Sequence, residues 1–212
     1  YVGIRYRGHV YVEEAFKFTD LADDIVRVIH AVGEPVDIIG EAMGGTLAML
    51  VTQTHPELVK SCCVNGVAVK RDAVRGYRFR ALFDLFYKGL LNDFAEVVTE
   101  ESFSLAWRQA NPDKTRYFQG LLLKDRSPQS LALLFRAANR FSRHAIQFNA
   151  LSRPVMVIAA LQDPLVEPHH AEHLASLIPG SILIKIDCGH AVSLENGLEL
   201  GRLAINFFEQ KH

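Results

Sequence analysis

The sequence predicts an α/β fold: a mostly parallel sheet flanked by helices, with a helical stretch inserted between its strands. Two observations carry that expectation. Short apolar runs alternate with amphipathic helical stretches at both ends of the chain, the pattern of a parallel sheet covered on its faces. Between them, from Arg71 to about Ala150, helical periodicity runs without a convincing strand, and nine of the thirteen phenylalanines lie there.

Taken in order, YVGIRYR over 1–7 reads as a first strand. Thr19 is a good N-cap for DLADDIVRVIHAV, whose Leu21, Ile25, Val28, Ile29 and Val32 share one face before Gly33 ends the helix. VDIIG at 36–40 is a buried strand, and a helix follows directly from Met43 to Thr54, where His55-Pro56 stops it. SCCVNGVAV, from Ser61, is the next strand, and alternation sends the adjacent Cys62 and Cys63 to opposite faces. In the 71–150 block, helix breaks fall near 89–92, 111–112 and 127–128. Its aromatic residues serve either as a packed core or as the wall of an apolar pocket beneath a lid. After Pro154, PVMVIAA is a strand, HHAEHLASLI a helix, SILIKID a strand and GLELGRLAINFFEQ a terminal helix. Residues 1–70 and 151–212 therefore form the core domain and 71–150 a helical cap.

Composition limits the functions open to such a chain. Its 212 residues suit one domain with a sizeable insertion, and 49% hydrophobic with 22% charged residues suit a packed globule. A formal charge of −1 gives no field to attract nucleic acid or anionic lipid, so neither is expected as a partner. No apolar run approaches the ~18–20 residues of a membrane span, and the first residues lack the apolar stretch of a signal peptide. The three cysteines read as small core residues whose odd number favours a reducing, cytoplasmic setting. HHAEH at 169–173 spaces two histidines one helical turn apart but lacks the glutamate beside the first that HExxH zinc sites carry. It reads as a polar helix start, and no metal or cofactor is expected.

The chemistry-bearing stretch is GEAMGG, residues 40–45, placed between a strand and a helix. A sharp turn there lifts its apex residue above the sheet and aims backbone N–H groups and the helix dipole at a developing oxyanion. Gly40, Gly44 and Gly45 give the turn its room, yet the apex residue is Ala42. Asp163, in the loop leaving the PVMVIAA strand, and His190, after the last strand, follow in the order nucleophile, acid, base. Glu41 is a poor substitute nucleophile, because at such a turn its side chain points away from the site.

With these residues the chain resembles the α/β-hydrolase superfamily over nearly all its length. The resemblance rests on RGH at 7–9, DLADDI at 20–25, IIGEAMGGTLA at 38–48, HPELV at 55–59, the QDPLVEP loop and the CGH turn at 188–190. It implies that position 42 bears the nucleophile, Asp163 the acid and His190 the base, with the Met43 N–H as one oxyanion donor. It implies a serine-type hydrolase acting on a carboxylic ester, thioester or related acyl substrate, or an acyltransferase if another acceptor replaces water. Phe79, Phe83, Phe86, Trp107 and Phe135 are candidate walls of an apolar substrate site. The arginines of the 71–150 block are candidates for contact with coenzyme A or an acyl carrier protein.

Two features depart from that family pattern. A methyl group cannot attack a carbonyl, so Ala42 admits three readings. A serine has been exchanged for alanine, which the intact acid and base favour; or the chain is a pseudoenzyme or binding protein; or the His190–Asp163 dyad works without a nucleophile. The resemblance also begins at what would be the family's fourth strand. It implies that the earlier strands and a second oxyanion donor come from a separate N-terminal polypeptide of roughly 40–60 residues, making a heterodimer.

Overall fold

The computed structural model describes residues 2–9, 11–70, 73–124 and 127–210, with the backbone but not the side chains of 73–75 and 79. Four parallel strands form one sheet in the order β1 (Val36–Glu41), β2 (Val59–Asn65), β3 (Val155–Ala160) and β4 (Ile182–Ile186). Parallel neighbours need crossover connections, and helices supply them. Helix α1 (Phe18–Val32) precedes the sheet, and α2 (Met43–Thr54) joins β1 to β2. Between β2 and β3 lie α3 (Ala73–Tyr87), α4 (Leu91–Ser102), α5 (Leu105–Ala110), α6 (Pro112–Leu123) and α7 (Pro128–Arg140). Helix α8 (Pro168–Leu177) joins β3 to β4, and α9 (Val192–Glu195) and α10 (Gly197–Gln210) close the chain. Because every strand runs the same way, their C-terminal ends share one edge, where the loops after β1, β2, β3 and β4 gather.

The sheet separates two apolar clusters. One holds Leu21 and Ile25 of α1, Leu47 and Val51 of α2, Cys62, Val64 and Leu174. The other holds Cys63, Met156, Ile158 and Val192 with Leu200 and Phe207 of α10. Cys62 and Cys63 thus face opposite sides of β2, as alternation requires. Every position of β3 is buried, the mark of an interior strand.

Several elements depart from the sequence expectation. No strand forms over residues 2–7, apart from an isolated bridge at Arg7. An extended segment becomes a strand only when its N–H and C=O groups join a ladder, and this one makes none with the sheet. Instead the Arg7 guanidinium forks onto Asp24 of α1, with Nε to Oδ2 at 2.6 Å. Helix α1 starts at Phe18, with Lys17 and not Thr19 as its N-cap, because the Asp20 carboxylate accepts the Lys17 N–H at 2.8 Å. Its C-terminus is where expected: Gly33, at φ +86°, closes the helix with an N–H bond to the Ile29 carbonyl. Strand β2 begins two residues before Ser61 and ends at Asn65, since Gly66 at φ +64° turns the chain out of extended conformation. Among the described residues no helix is long and apolar enough to cross a membrane.

Candidate active site

The residue between β1 and α2 is Ala42, with φ +51° and ψ −112°, the one non-glycine residue of positive φ among those described. Two hydrogen bonds hold it there: its N–H donates to the Asn65 carbonyl at 2.8 Å, and its own carbonyl accepts from Thr46 N–H at 3.2 Å. The glycines around it are required by contact. A Cβ on Gly40 would lie 2.5 Å from the Gly44 carbonyl oxygen, and one on Gly45 would lie 2.5 Å from Val67 Cγ2. Gly44 is less constrained than expected, since its Cβ would meet only the Tyr6 hydroxyl, at 3.1 Å. The first N–H groups of α2, that of Met43 among them, have no acceptor within the helix and lie beside Ala42.

Asp163 sits in the turn after β3 with its side chain 1% exposed. Its Oδ1 accepts the N–H groups of Leu165 at 2.8 Å and Val166 at 2.7 Å, which fixes the carboxylate plane. Its Oδ2 is 2.7 Å from His190 Nδ1. A carboxylate at that distance makes Nδ1 the protonated nitrogen and leaves Nε2 as a base. Gly66 leaves room for the ring of His190, since a Cβ there would come within 2.6 Å of Cε1 and 3.4 Å of the Ala42 nitrogen. The imidazole and the apex of the β1–α2 turn thus flank one point. Glu41 turns away from it, accepting the Ser193 N–H at 2.9 Å and the Ser193 hydroxyl.

Two hollows meet at His190. A groove of about 1120 Å³ runs from Ala42, Met43 and His190 along β1, past Tyr6 and Ile38. A smaller cavity, about 250 Å³, lies between His190 and the helices that separate β2 from β3, with walls from Phe83, Phe94, Val98, Leu131 and Phe135. Of the aromatic candidates, Phe83 and Phe135 line both hollows and touch edge to face at 5.0 Å. Phe86 lines neither; it is buried against Phe94. Trp107 also lies elsewhere, stacked on Phe103 at 4.4 Å. The Phe79 side chain lies outside the described residues.

Glu101 and His9 also line the smaller cavity; in the sequence His9 stood out only within the RGH stretch, with no site role, and Glu101 not at all. A signal for Glu101 existed: Phe94, Val98 and Glu101 recur at helical spacing, so a carboxylate interrupts an apolar face of α4. Burial, partly offset by the nearby Arg78 guanidinium, raises its carboxyl above the ordinary range. The described residues contain no cluster of three or more side chains that could hold a metal ion.

Comparison with known proteins bears on this arrangement. The model of a family described as having the alpha/beta hydrolase fold matches residues 7–197. The pimeloyl-[acyl-carrier protein] methyl ester esterase of Neisseria meningitidis serogroup B is 26% identical over 204 residues, spanning 92% of this chain and 76% of its own. Among solved structures, the enol-lactonase from Burkholderia xenovorans superposes with a TM-score of 0.85 at 15% identity, over 96% of this chain and 78% of its own. A thermophilic esterase from Thermogutta terrifontis superposes with a TM-score of 0.85 at 18% identity, over 98% and 78%.

Proposed function

The chain belongs to the α/β-hydrolase fold family, and from that premise we propose that its site is an acyl-ester-cleaving triad whose nucleophile seat, position 42, is filled by alanine. The observation that carries this reading is the backbone of Ala42. It keeps a costly positive φ at the apex of the β1–α2 turn, beside a buried His190–Asp163 pair with a 2.7 Å hydrogen bond. Strain of that kind costs on the order of 1–3 kcal/mol and is retained where a side chain must be presented.

With serine at 42, His190 Nε2 takes the hydroxyl proton as the oxygen attacks the ester carbonyl, while Asp163 stabilises the imidazolium. The Met43 N–H stabilises the oxyanion. His190 then protonates the departing alcohol or thiol, and a water activated by the same nitrogen releases the acid. With Ala42 the first step has no attacking atom, so this chain binds its ester without cleaving it through position 42. The helices between β2 and β3 act as the cap of the acyl site. The esterase relative from Neisseria supports an ester of a carrier-bound acyl chain as the substrate class.

The test is restoration. Ala42→Ser should be labelled by a fluorophosphonate and should hydrolyse short acyl esters, with Asp163→Asn lowering the labelling rate by roughly three orders of magnitude or more. A restored protein that neither labels nor hydrolyses would leave a binding protein. Turnover with Ala42 in place, lost in Asp163→Asn, would select the dyad acting alone as a general base.

A further inference from the structure

Among the described residues, the lining of the 250 Å³ cavity beside His190 is apolar except for Glu101, His9, Ser102 and the His190 ring itself. Ser102 is occupied, its hydroxyl donating to the Val98 carbonyl at 2.6 Å. Glu101 is not. The Arg78 guanidinium reaches its Oε2 only loosely, at 3.5 Å, and also donates to the Pro164 carbonyl. Oε1 has no hydrogen-bond partner among the described residues. Arg78 does not line the cavity, so the wall presents a carboxylate whose one ion pair among the described residues, 3.5 Å long, lies outside the space it faces. A carboxylate set into an apolar wall is costly unless a donor meets it.

We propose that this cavity takes an acyl chain carrying a hydrogen-bond donor, a hydroxyl or an ammonium, a few carbons from its carbonyl, and that Glu101 is the residue that selects it. The inference rests on the reading of position 42 and His190 as the reacting end of the site. The size of the cavity fits it. At about 250 Å³ the space is smaller than the ~300–1,000 Å³ of drug-sized ligand sites, which suits a short chain better than a fatty acyl group. The walls set by Phe83, Phe94 and Phe135 take the methylenes, and Glu101 takes the donor. A chain ending in a carboxylate is disfavoured, because it would face the Glu101 carboxylate in the cavity wall. The raised carboxyl of Glu101, which burial causes and Arg78 only partly offsets, agrees with a group short of hydrogen-bond donors.

The experiment uses the chain as it is. Isothermal titration compares four N-methylamides, which stay intact: those of hexanoic acid, ω-hydroxyhexanoic acid, ω-aminohexanoic acid and the monoamide of adipic acid. The hydroxy or the amino compound should bind about tenfold more tightly than the hexanoic one, the scale of a hydrogen bond to a charged group. Whichever of the two gains more identifies the donor. The adipic compound should bind most weakly. Glu101→Gln should abolish an ammonium preference while retaining a hydroxyl preference, and Glu101→Leu should turn the order in favour of the hexanoic compound. The proposal is overturned if the hexanoic compound matches both donors, if the adipic compound binds best, if none binds, or if the donor preference survives in Glu101→Leu. Fluorophosphonate labelling of Ala42→Ser separates the two failures. Labelling with a flat ranking rejects the role of Glu101 alone, whereas a donor preference without labelling rejects the hydrolase reading alone.

Discussion

At residue 42 the backbone is strained and the side chain has no task. The φ of +51° lies where glycine is comfortable and alanine is not. The bonds to Asn65 and Thr46 hold the residue there whatever its side chain. Ala42→Gly is therefore expected to raise the unfolding free energy by about 0.5–1 kcal/mol, the relieved strain exceeding the added freedom of the unfolded chain. Urea melts of the two proteins check it, and a lower midpoint for the glycine variant would show the turn to be unstrained. Gly66 is the opposite case. Its positive φ and the 2.6 Å approach of His190 Cε1 leave no place for a methyl group. In an Ala42→Ser background, Gly66→Ala should slow fluorophosphonate labelling by more than about tenfold, because a misplaced base loses far more rate than a displacement of about 1 Å would suggest. An unchanged labelling rate would mean that the imidazole has room to retreat.

At the scale of elements, the four-residue α9 links the two halves of the site. On one side Glu41, next to the apex, accepts the Ser193 N–H at 2.9 Å. On the other, the Glu195 carboxylate accepts the Ser104 N–H at 2.9 Å and its hydroxyl at 2.5 Å, while Ala191 N–H donates to the Ser102 carbonyl at 2.8 Å. The junction of α4 and α5 is thus pinned to the loop that carries His190. Glu195→Ala strands the buried Ser104 N–H and should cost about 1–3 kcal/mol. Hydrogen exchange should quicken over 102–107 and 190–196 while α1 and α2 stay protected; quickening throughout the chain would show that the link is no local clamp. The attachment of this junction to α9 was invisible in the sequence, and the reason is physical. Helix α2 could be bounded at both ends because its glycines and His55-Pro56 are local signals, and Gly33 likewise marked the end of α1. Ser104 does cap α5 locally, accepting the Trp107 N–H, but the contacts that pin this break to α9 come from partners some ninety residues away, and no periodicity reports those. The same distinction separates Asp163 and His190, which strand ends announce, from Glu101, whose importance appears only when α4 faces His190.

At the scale of the whole molecule, one sheet divides two cores, and β2 carries a thiol into each. Burial pushes the Cys62 thiol from its ordinary value of 9.0 to about 12, and raises that of Cys63 further, helped by the neighbouring Cys62 and Glu41 charges. Unfolding restores both to ordinary values, so the folded state holds its thiol protons to higher pH than the unfolded state does. The stability they contribute is complete below the unfolded value and is lost as pH rises toward the folded one. Each thiol then adds about 1.4 kcal/mol per pH unit to the decline above pH ~9. Against a total of about 5–15 kcal/mol for a domain, that slope makes the chain alkali-sensitive well before the buried thiols ionise in place. Urea melts between pH 8 and 10.5 should show the unfolding free energy of the parent falling more steeply than that of the Cys62→Ala/Cys63→Ala double variant. The double variant starts lower at pH 8, because two buried sulfur atoms are gone, so the slope and not the starting value carries the test. Parallel slopes would mean that the two sides of β2 admit water, and that the sheet does not seal its cores from solvent.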